Sequence, residues 1–346
     1  MPQLYATLLF LFATSANLCA QAALRQSIPF ANAQGQSLDP INALAGGMGC
    51  AQFSSVDVDG DGLRDIVIFD RVGNAWQPMR NIGTAQAPQY AFAPQLAAFF
   101  PAVESWALLR DYNCDGVEDI FCNYRVPSLG YIGIGVFRGS RRADGRLQFA
   151  LQSEALLYTD PRQPANEYNI FVSNIDIPAI DDVDGDGDLD VLTFNSTGGY
   201  TELFANQSVE DAHGCDSLHF QLADNCWGRF YESGISEPLN LSPQVDSCAL
   251  YTGWQSVQRR NNNSRHSGST LAAFDTDADD VKDLFLGDVS FTNICHAINT
   301  GTTQTAFISS QETFFPANSR PVRLHSYPAA YFLDVNGDGL QDMIAT

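Results

Sequence analysis

Five short segments of the sequence alternate aspartate with other residues in a pattern that suits metal coordination. The segment DVDGDGLRD at 57–65 is the clearest, with acidic side chains at its first, third, fifth and ninth positions and glycine at its sixth. Calcium takes about six to eight oxygen ligands, and a curled backbone directs alternate carboxylates toward one ion. Glycine suits the sharp turn of such a curl because it adopts a positive φ freely. The pattern therefore predicts a calcium loop, whose positions we number from 1 to 9.

The same nine-position loop occurs five times, and we number the copies one to five in chain order: 57–65, 111–119, 182–190, 275–283 and 334–342. The predicted side-chain ligands, at positions 1, 3, 5 and 9, are Asp57, Asp59, Asp61, Asp65, Asp111, Asn113, Asp115, Asp119, Asp182, Asp184, Asp186, Asp190, Asp275, Asp277, Asp279, Asp283, Asp334, Asn336, Asp338 and Asp342. The predicted carbonyl ligands, at position 7, are those of Leu63, Val117, Asp188, Val281 and Leu340. Five related copies indicate an internal repeat.

Other interpretations of these loops fit the residues less well. An EF-hand places a glutamate at its twelfth position between two helices, whereas the equivalent residues here are Ile68, Cys122, Thr193, Leu286 and Ala345. Magnesium prefers a tight octahedron with retained water, and zinc prefers histidine or cysteine. An acidic turn without metal is the remaining alternative, but crowded carboxylates repel one another unless a cation lies among them. Calcium is therefore the predicted cofactor, at up to five sites.

The five loops differ in their expected affinity for calcium. Loops two and five carry asparagine at position 3, which lowers the charge of the ligand set. Loop four has Asp280 where the other loops have glycine, and a residue with a Cβ reaches left-handed geometry only at a cost. We therefore expect loop four to be the weakest site and its occupancy in dilute calcium to be doubtful.

Short apolar segments flank each loop and must position it. The run after each loop is alternating or continuously apolar, as in DIVIF after loop one and DVLTF after loop three, which is typical of a β-strand. A glycine-bearing turn and another strand follow. The loop spacing exceeds the roughly 40–50 residues of a propeller blade, so the longer intervals are expected to hold insertions or a degenerate blade. These units predict an all-β fold, a β-propeller over residues 23–346.

The N-terminus and the charge balance bear on where the protein acts. Residues 1–22 hold an apolar stretch that ends in the small-x-small sequence Ala20-Gln21-Ala22, which is typical of a cleaved signal peptide and predicts secretion or display at the cell surface. No later segment is apolar enough to predict a transmembrane span. The formal charge of −22, from 40 acidic and 18 basic residues, disfavours nucleic acid as a partner.

The chain has eight cysteines, seven of them after the predicted signal peptide. An exported protein can oxidise them. Cys215 and Cys226 bracket a short segment and are a plausible bridge, although the connectivity does not follow from the sequence. The odd count leaves at least one thiol free or paired with residues outside this chain.

The loops and their flanks resemble the FG-GAP/VCBS repeats of secreted bacterial proteins and of integrin α-subunit propellers. The resemblance runs from about Gly46 to Thr346, and it is most specific in three segments, CAQFSSVDVDGDGLRDIVIFDRVGN, WALLRDYNCDGVEDIF and DNCWGRFYESG, which are similar to VCBS-repeat proteins linked to type IX secretion. The resemblance implies a calcium-stabilised propeller used in adhesion or ligand binding, with the metal residues carried over directly in loops one, two, three and five. Because loop five lies close to the end of the chain, we expect a C-terminal truncation; a strand from residues 23–50 that completes the last blade is the alternative.

Three classes of function agree with these observations. The first is a surface module that binds an extracellular protein or glycan, in which Trp106, Trp227 and Trp254 either stack on sugars or belong to the core. The second is a carbohydrate-active enzyme on a propeller, but the sequence has no G-x-S-x-G or H-E-x-x-H motif and its histidines are scattered. The third is a passive structural segment of a larger secreted protein. We favour the first and expect no catalytic residues.

Overall fold

The computed structural model describes residues 30–31, 37–38, 42, 47–127, 130–196, 198–233, 236–249, 269–325 and 327–346. The chain divides into two compact units, 1–43 and 44–346. In the first unit the structure describes an antiparallel pair of short strands, β1 (Phe30–Ala31) and β2 (Ser37–Leu38). The predicted signal peptide at 1–22 lies outside the described residues, so its presence stays a prediction. No helix in the described part of the chain is long and apolar enough to cross a membrane.

The second unit is all-β, and four antiparallel sheets are arranged as the blades of a propeller, which confirms the predicted fold. The first blade is β3 (Ala51–Val56), β4 (Asp65–Asp70), β5 (Ala75–Asn81) and β6 (Tyr90–Phe92). The second is β7 (Glu104–Arg110), β8 (Asp119–Arg125), β9 (Ile132–Arg141) and β10 (Leu147–Ser153). In both sheets the strands lie side by side in chain order, and a 3₁₀ helix (Pro94–Phe99) connects the two blades.

The third blade is larger than the others. Two strands that precede it in the chain, β11 (Leu157–Asp160) and β12 (Gln163–Asn169), extend its outer edge. Its four principal strands are β13 (Ala179–Asp181), β14 (Asp190–Phe194), β15 (Thr201–Asn206) and β16 (Phe220–Asp224). Strand β11 pairs with β16 in parallel. A short 3₁₀ helix (Trp227–Arg229) and a small hairpin of β17 (Phe230–Tyr231) and β18 (Asn240–Leu241) follow.

The fourth blade and a smaller sheet complete the arrangement. The blade is β19 (Ser269–Phe274), β20 (Asp283–Asp288), β21 (Ile294–Asn299) and β22 (Ile308–Glu312). A two-stranded sheet of β23 (Ala330–Leu333) and β24 (Asp342–Ala345) carries loop five, and β23 packs against both β19 and β3. The interval between loops three and four is thus long because it contains the 3₁₀ helix and hairpin as well as residues outside those described.

The first strands of these sheets surround a central cavity of about 670 Å³. Each of β3, β7, β13, β19 and β23 contributes to its wall, through Ser54, Leu109, Ile180, Ala272 and Phe332 respectively. The second strands are buried on both faces because neighbouring blades cover them. Their sequences are accordingly continuous apolar runs rather than alternating ones, as in β4, β14 and β20.

All five loops join a first strand to a second strand in the same register. In each case the residue before position 1 pairs across the hairpin with the aspartate at position 9: Val56 with Asp65, Arg110 with Asp119, Asp181 with Asp190, Phe274 with Asp283 and Leu333 with Asp342. The nine-position repeat of the sequence is therefore one connection of constant length, used five times at the same end of the first strand.

The disulfides differ from the expected pairing. Cys114 is bonded to Cys215, with an S–S distance of 2.02 Å, and Cys226 is bonded to Cys248. The predicted Cys215–Cys226 bridge is wrong because the five residues of β16 lie between them. At about 3.3 Å per residue, that strand holds the two cysteines farther apart than the roughly 4–7 Å between Cα atoms that a disulfide spans. Among the described cysteines, Cys50, Cys122 and Cys295 are free.

Candidate metal centre

The carboxylate at position 1 closes each loop by accepting backbone hydrogen bonds. Asp57 accepts the amide of Gly60 at 2.8 Å and that of Gly62 at 3.2 Å, which draws positions 4 and 6 toward the start of loop one. The other position-1 carboxylates accept from the corresponding amides: Asp111 from Gly116, Asp182 from Gly185, Asp275 from Ala278 and Asp280, and Asp334 from Gly337 and Gly339. The five loops therefore share one curled backbone.

Positions 4 and 6 of the loops take left-handed backbone geometry. In loop one these are Gly60 and Gly62, with φ of 80° and 84°. In loop four they are Ala278 and Asp280, with φ of 62° and 66°. Asp280 thus takes the backbone conformation of the glycine in the other loops. This geometry costs an ordinary residue with a Cβ about 1–2 kcal/mol and costs aspartate less, and that loop four is the weakest site stays a prediction.

The carboxylate at position 5 turns the backbone once more. Asp61 Oδ1 accepts the amide of Leu63 at 2.9 Å, and the same bond recurs between Asp115 and Val117, Asp186 and Asp188, Asp279 and Val281, and Asp338 and Leu340. In loops one and two the second oxygen of position 5 accepts a further hydrogen bond, from Arg80 to Asp61 and from Asn113 to Asp115. In loop three the second oxygen of Asp186 is buried without a hydrogen-bond partner and is available to a cation. That the carbonyls at position 7 bind metal stays a prediction.

The aspartate at position 9 lies beneath its loop and holds it to the blade. Asp65 is fully buried; its Oδ2 accepts the amide of Val58 at 2.9 Å and its Oδ1 accepts that of Asn81, on the third strand, at 2.7 Å. Asp119, Asp190, Asp283 and Asp342 likewise accept at least one hydrogen bond from their own loop. These carboxylates thus have an anchoring role that sequence analysis missed, and their predicted role as metal ligands stays a prediction.

Burial is the largest influence on the pKa of the position-9 carboxyls Asp65 and Asp119. It raises the pKa of Asp65 to about 6 and that of Asp119 to about 7, although backbone hydrogen bonds partly offset the effect. In Asp283, burial also acts to raise the pKa, but hydrogen bonds from His296, Thr276 and Asn299 outweigh it and the net shift is downward. The neighbouring His296 ring lies 3.1 Å from Asp283 Oδ2 and is itself buried.

Three of the five loops bring at least three carboxylates together. Oxygen atoms lie within 4.8 Å of one another in Asp57, Asp59 and Asp61 of loop one and in Asp275, Asp277 and Asp279 of loop four. Loop three has two such groups: Asp182, Asp184 and Asp190, and Asp184, Asp186 and Glu210. In loops two and five an amide replaces the carboxylate at position 3, because that position holds Asn113 and Asn336.

Arginines from outer strands neutralise part of the charge of loop one. Arg80 lies 2.5 Å from Asp59 and 3.0 Å from Asp61, and Arg141 of the second blade lies 3.1 Å from Asp57. These ion pairs connect residues far apart in the sequence, so no local motif predicts them. Because loop one carries its own counter-charges, a cation there gains less from its carboxylates than a cation in a loop without them.

Loop three has no such compensation. Among the described residues, no lysine or arginine forms an ion pair with Asp182, Asp184, Asp186, Asp188 or Asp190. Burial, followed by repulsion from neighbouring acids, raises the pKa of Asp184 to about 6 and that of Asp190 to about 8; burial raises that of Asp188 to about 6. The raised pKa values mean that ionising these carboxyl groups costs free energy, and a cation would offset that cost by pairing with the ionised carboxylates.

Several loop oxygens are buried and lack any hydrogen-bond partner. They are Asp59 Oδ1 in loop one and Asp184 Oδ1, Asp186 Oδ2 and Asp188 Oδ1 in loop three. A buried acceptor without a partner costs about 1–3 kcal/mol, and a hard cation supplies the partner that carboxylate oxygens prefer. The residues present therefore fit a divalent oxygen-bound cation, and they fit it best in loop three.

Glu210 is the acidic residue of this site that sequence analysis missed. It lies in the turn after β15, twenty positions beyond the end of loop three, and it is exposed. The sequence offers one clue to its role: Glu210 is an acidic residue in a turn that is longer in the third blade than the equivalent turn in the first and fourth blades. Without the pairing of β14 with β15, that clue does not show which loop the turn approaches.

Two of the three tryptophans considered for sugar stacking are core residues. Trp106 is 0% and Trp227 is 2% exposed, so both belong to the core, and Trp254 lies outside the described residues. The acidic side chain of Glu232, outside the loops, is buried and pairs with Asp288. In the described part of the chain, the position-1, position-3 and position-5 carboxylates are thus the most prominent set of converging polar groups.

Comparison with known proteins adds little to this geometry. No protein-family model matches the chain, and no curated protein matches it in sequence. Among solved structures, the chain matches a lectin from Agrocybe aegerita that recognises non-reducing terminal N-acetylglucosamine, with 13% sequence identity and a TM-score of 0.36. That match covers 85% of this chain and 74% of the lectin. A similarity at this level carries no argument about the ligand of this protein.

Proposed function

We propose that this chain is an exported β-propeller of the FG-GAP/VCBS type whose acidic loops bind calcium. The observation that carries the proposal is loop three, where converging carboxylates include buried oxygens without partners and no described basic side chain compensates them. The resemblance of all five loops to FG-GAP/VCBS repeats supports calcium in particular. The two disulfides agree with an oxidising compartment, and hence with export.

Calcium in these loops acts structurally. The ion supplies positive charge among the carboxylates at positions 1, 3 and 5, whose side chains already hold the loop curled through backbone hydrogen bonds. Extracellular calcium modules bind with dissociation constants of about 10⁻⁴–10⁻³ M, so one site at the tight end contributes roughly 1–2 kcal/mol at millimolar calcium. Several sites together approach the ~5–15 kcal/mol stability of a typical domain.

We propose further that the face formed by these loops binds an extracellular glycan or protein. The loops leave the same ends of the first strands, and Gly62, Asp111 and Asp334 from three of them line the central cavity. Surface loops held on a rigid scaffold are where binding residues concentrate. Binding of the calcium-loaded protein to a glycan or extracellular-protein array, lost on chelation, tests this part; equal binding in chelator would contradict it.

Equilibrium dialysis against radioactive calcium tests the metal proposal. The oxidised, folded protein is dialysed at free calcium from about 10 µM to 5 mM, a range that brackets the affinities of extracellular modules. We expect more than one calcium bound per chain, with the tightest site in loop three, and little competition from an equal concentration of magnesium. Absence of bound calcium throughout this range would overturn the proposal.

A further inference from the structure

The turn after β15 in the third blade is longer than its counterparts. In the first and fourth blades, the asparagine that ends the third strand accepts amides two and eight residues further on: Asn81 from Gly83 and Gln89, and Asn299 from Gly301 and Phe307. In the third blade the equivalent Asn206 accepts the amide of His219, thirteen residues on, at 3.1 Å. The turn thus carries five additional residues relative to the eight-residue spacing of the other two.

The extra residues are held against loop three. The amide of Val209 donates to Asp188 Oδ2 at 3.0 Å. Glu210 follows, and its carboxylate lies within 4.8 Å of those of Asp184 and Asp186. Cys215, further along the turn, is bonded to Cys114 in loop two. The turn is therefore fixed at both ends, and Glu210 projects from a constrained segment.

A second observation points to a ligand at this place. Asp188 is 1% exposed, yet its Oδ1 has no hydrogen-bond partner, and the charges of Asp186 and Glu210 act on it directly. The hydroxyl of Ser208, which precedes Val209, is also buried and without a partner. Groups of this kind cost stability unless something binds them. In the other four loops position 7 is apolar, so no side chain there offers such an oxygen.

The number of carboxyl groups around loop three favours two bound cations over one. Asp182, Asp184, Asp186, Asp188, Asp190 and Glu210 make six carboxyl groups, and none forms an ion pair with lysine or arginine within the described residues. If all six ionise, one divalent cation leaves four negative charges in a partly buried cluster and two cations leave two. The carboxylates also form two separate groups that share only Asp184.

From this we infer that the third blade binds a second divalent cation, held by Asp184, Asp186, Asp188 and Glu210 beside the ion of loop three. The inference rests on the proposed calcium function, since it places an additional ion next to a predicted one. The ligands are all carboxylates, so the ion is a hard cation such as calcium or manganese. Asp184 bridges the two positions, and Glu210 alone comes from outside the loop.

Counting bound calcium in matched variants tests the second site. The full oxidised chain is analysed by native mass spectrometry and by equilibrium dialysis at 5 mM calcium, as wild type, Glu210→Gln and Asp211→Asn. Asp211 is the matched control because it carries the same charge one residue away but faces His219 at 2.7 Å instead of the cluster. We expect Glu210→Gln to bind one calcium fewer than wild type and Asp211→Asn to bind the same number.

Each outcome of this experiment has one meaning. An unchanged count in Glu210→Gln overturns the second site, whether or not affinity falls, because Glu210 then contributes to a single shared ion or to none. A lower count in both variants also overturns it, since surface charge and not a ligand would be responsible. Absence of bound calcium in the wild type instead contradicts the proposed function itself.

Discussion

At the scale of single residues, the carboxylates of each loop have two different tasks. Some carboxylate oxygens at positions 3 and 5 are buried without a protein partner, namely Asp59 Oδ1 in loop one and Asp184 Oδ1 and Asp186 Oδ2 in loop three. The carboxylate at position 9 anchors the loop to the blade by accepting hydrogen bonds, as Asp65 does from the backbone amides of Val58 and Asn81. Substitutions at the two kinds of position should therefore respond differently to calcium.

Replacement of Asp65 with alanine tests the anchoring role of position 9. Two buried amides lose their acceptor, and we expect a loss of about 2–4 kcal/mol in the free energy of unfolding. The loss should be similar in calcium and in chelator, because the anchoring bonds exist without the ion. Urea denaturation under both conditions measures it, with Asp65→Asn, which keeps one acceptor oxygen, as the milder control. A loss seen only in calcium would contradict the anchoring role.

The buried pair of Asp288 and Glu232 predicts a dependence of stability on pH. Burial, and then the hydrogen-bonded Glu232 carboxyl, raise the pKa of Asp288 above its ordinary value of 3.8. A raised pKa in an acid means that the folded state holds a proton the unfolded state releases, so this contribution to stability is complete below the ordinary pKa and is lost as pH rises through the raised one. Asp288→Asn imitates the protonated form.

Melting temperatures of Asp288→Asn and wild type at pH 4 and pH 8 measure this effect. We expect the melting temperature of the variant minus that of the wild type to be more positive at pH 8 than at pH 4, because at pH 8 the wild type has lost the stability that the proton on Asp288 contributes. A difference that does not change between the two pH values would show that Asp288 is not protonated in the fold.

At the scale of elements, position 4 of several loops lies where a neighbouring blade touches the loop. A Cβ on Gly60 would lie 2.5 Å from the carbonyl oxygen of Gly145, in the turn between β9 and β10. Gly337 has no room for a Cβ either, because the carbonyl of Ala85 in the turn of the first blade occupies the space. In loop two this place is taken by Cys114, whose disulfide to Cys215 makes the contact covalent. The loops therefore form contacts between blades and also connect strands within a blade.

Removal of the Cys114–Cys215 bridge should weaken both the fold and the calcium site of the third blade. The bridge closes 101 residues of sequence, and its loss through Cys114→Ser with Cys215→Ser is expected to cost about 2–4 kcal/mol. It also frees the turn that carries Glu210, so the calcium affinity of the second site beside loop three should fall.

The second bridge provides the control for that prediction. Cys226→Ser with Cys248→Ser opens a span of only 22 residues and does not involve the turn next to loop three. Urea denaturation and calcium titration of both pairs separate stability from binding. Equal effects of the two pairs on calcium affinity would contradict the coupling of the first bridge to the site.

The local parts of this architecture were accessible from the sequence, and the parts built by contacts between blades were not. The nine-position spacing predicted the hairpin of Val56 and Asp65 because strand, loop and strand are continuous in the chain. The salt bridge of Arg141 to Asp57 and the approach of Glu210 to Asp186 depend on how blades and turns meet in space. The wrong cysteine pairing has the same origin, since proximity in sequence was taken for proximity across β16.

At the scale of the whole molecule, the acidic loops lie around one end of a ring of first strands. The chain carries a formal charge of −22, and its densest acidic cluster is loop three with the adjoining Glu210. Self-repulsion of this kind destabilises a compact state, and divalent cations in the loops reverse the effect where it is largest. We therefore expect the propeller to be appreciably more stable in calcium than in its absence.

The most direct measurement of this claim is the melting temperature of Asp182→Ala with Asp186→Ala, in millimolar calcium and in excess chelator. Asp246→Ala, an exposed acid outside the loops, serves as the control. If a cation occupies loop three, the double variant falls further below the melting temperature of wild type in calcium than in chelator, where only the backbone hydrogen bonds accepted by Asp182 and Asp186 are lost. The control matches wild type in both conditions. An equal loss in calcium and in chelator would contradict a metal at this loop and with it the proposed role of the aspartate repeats.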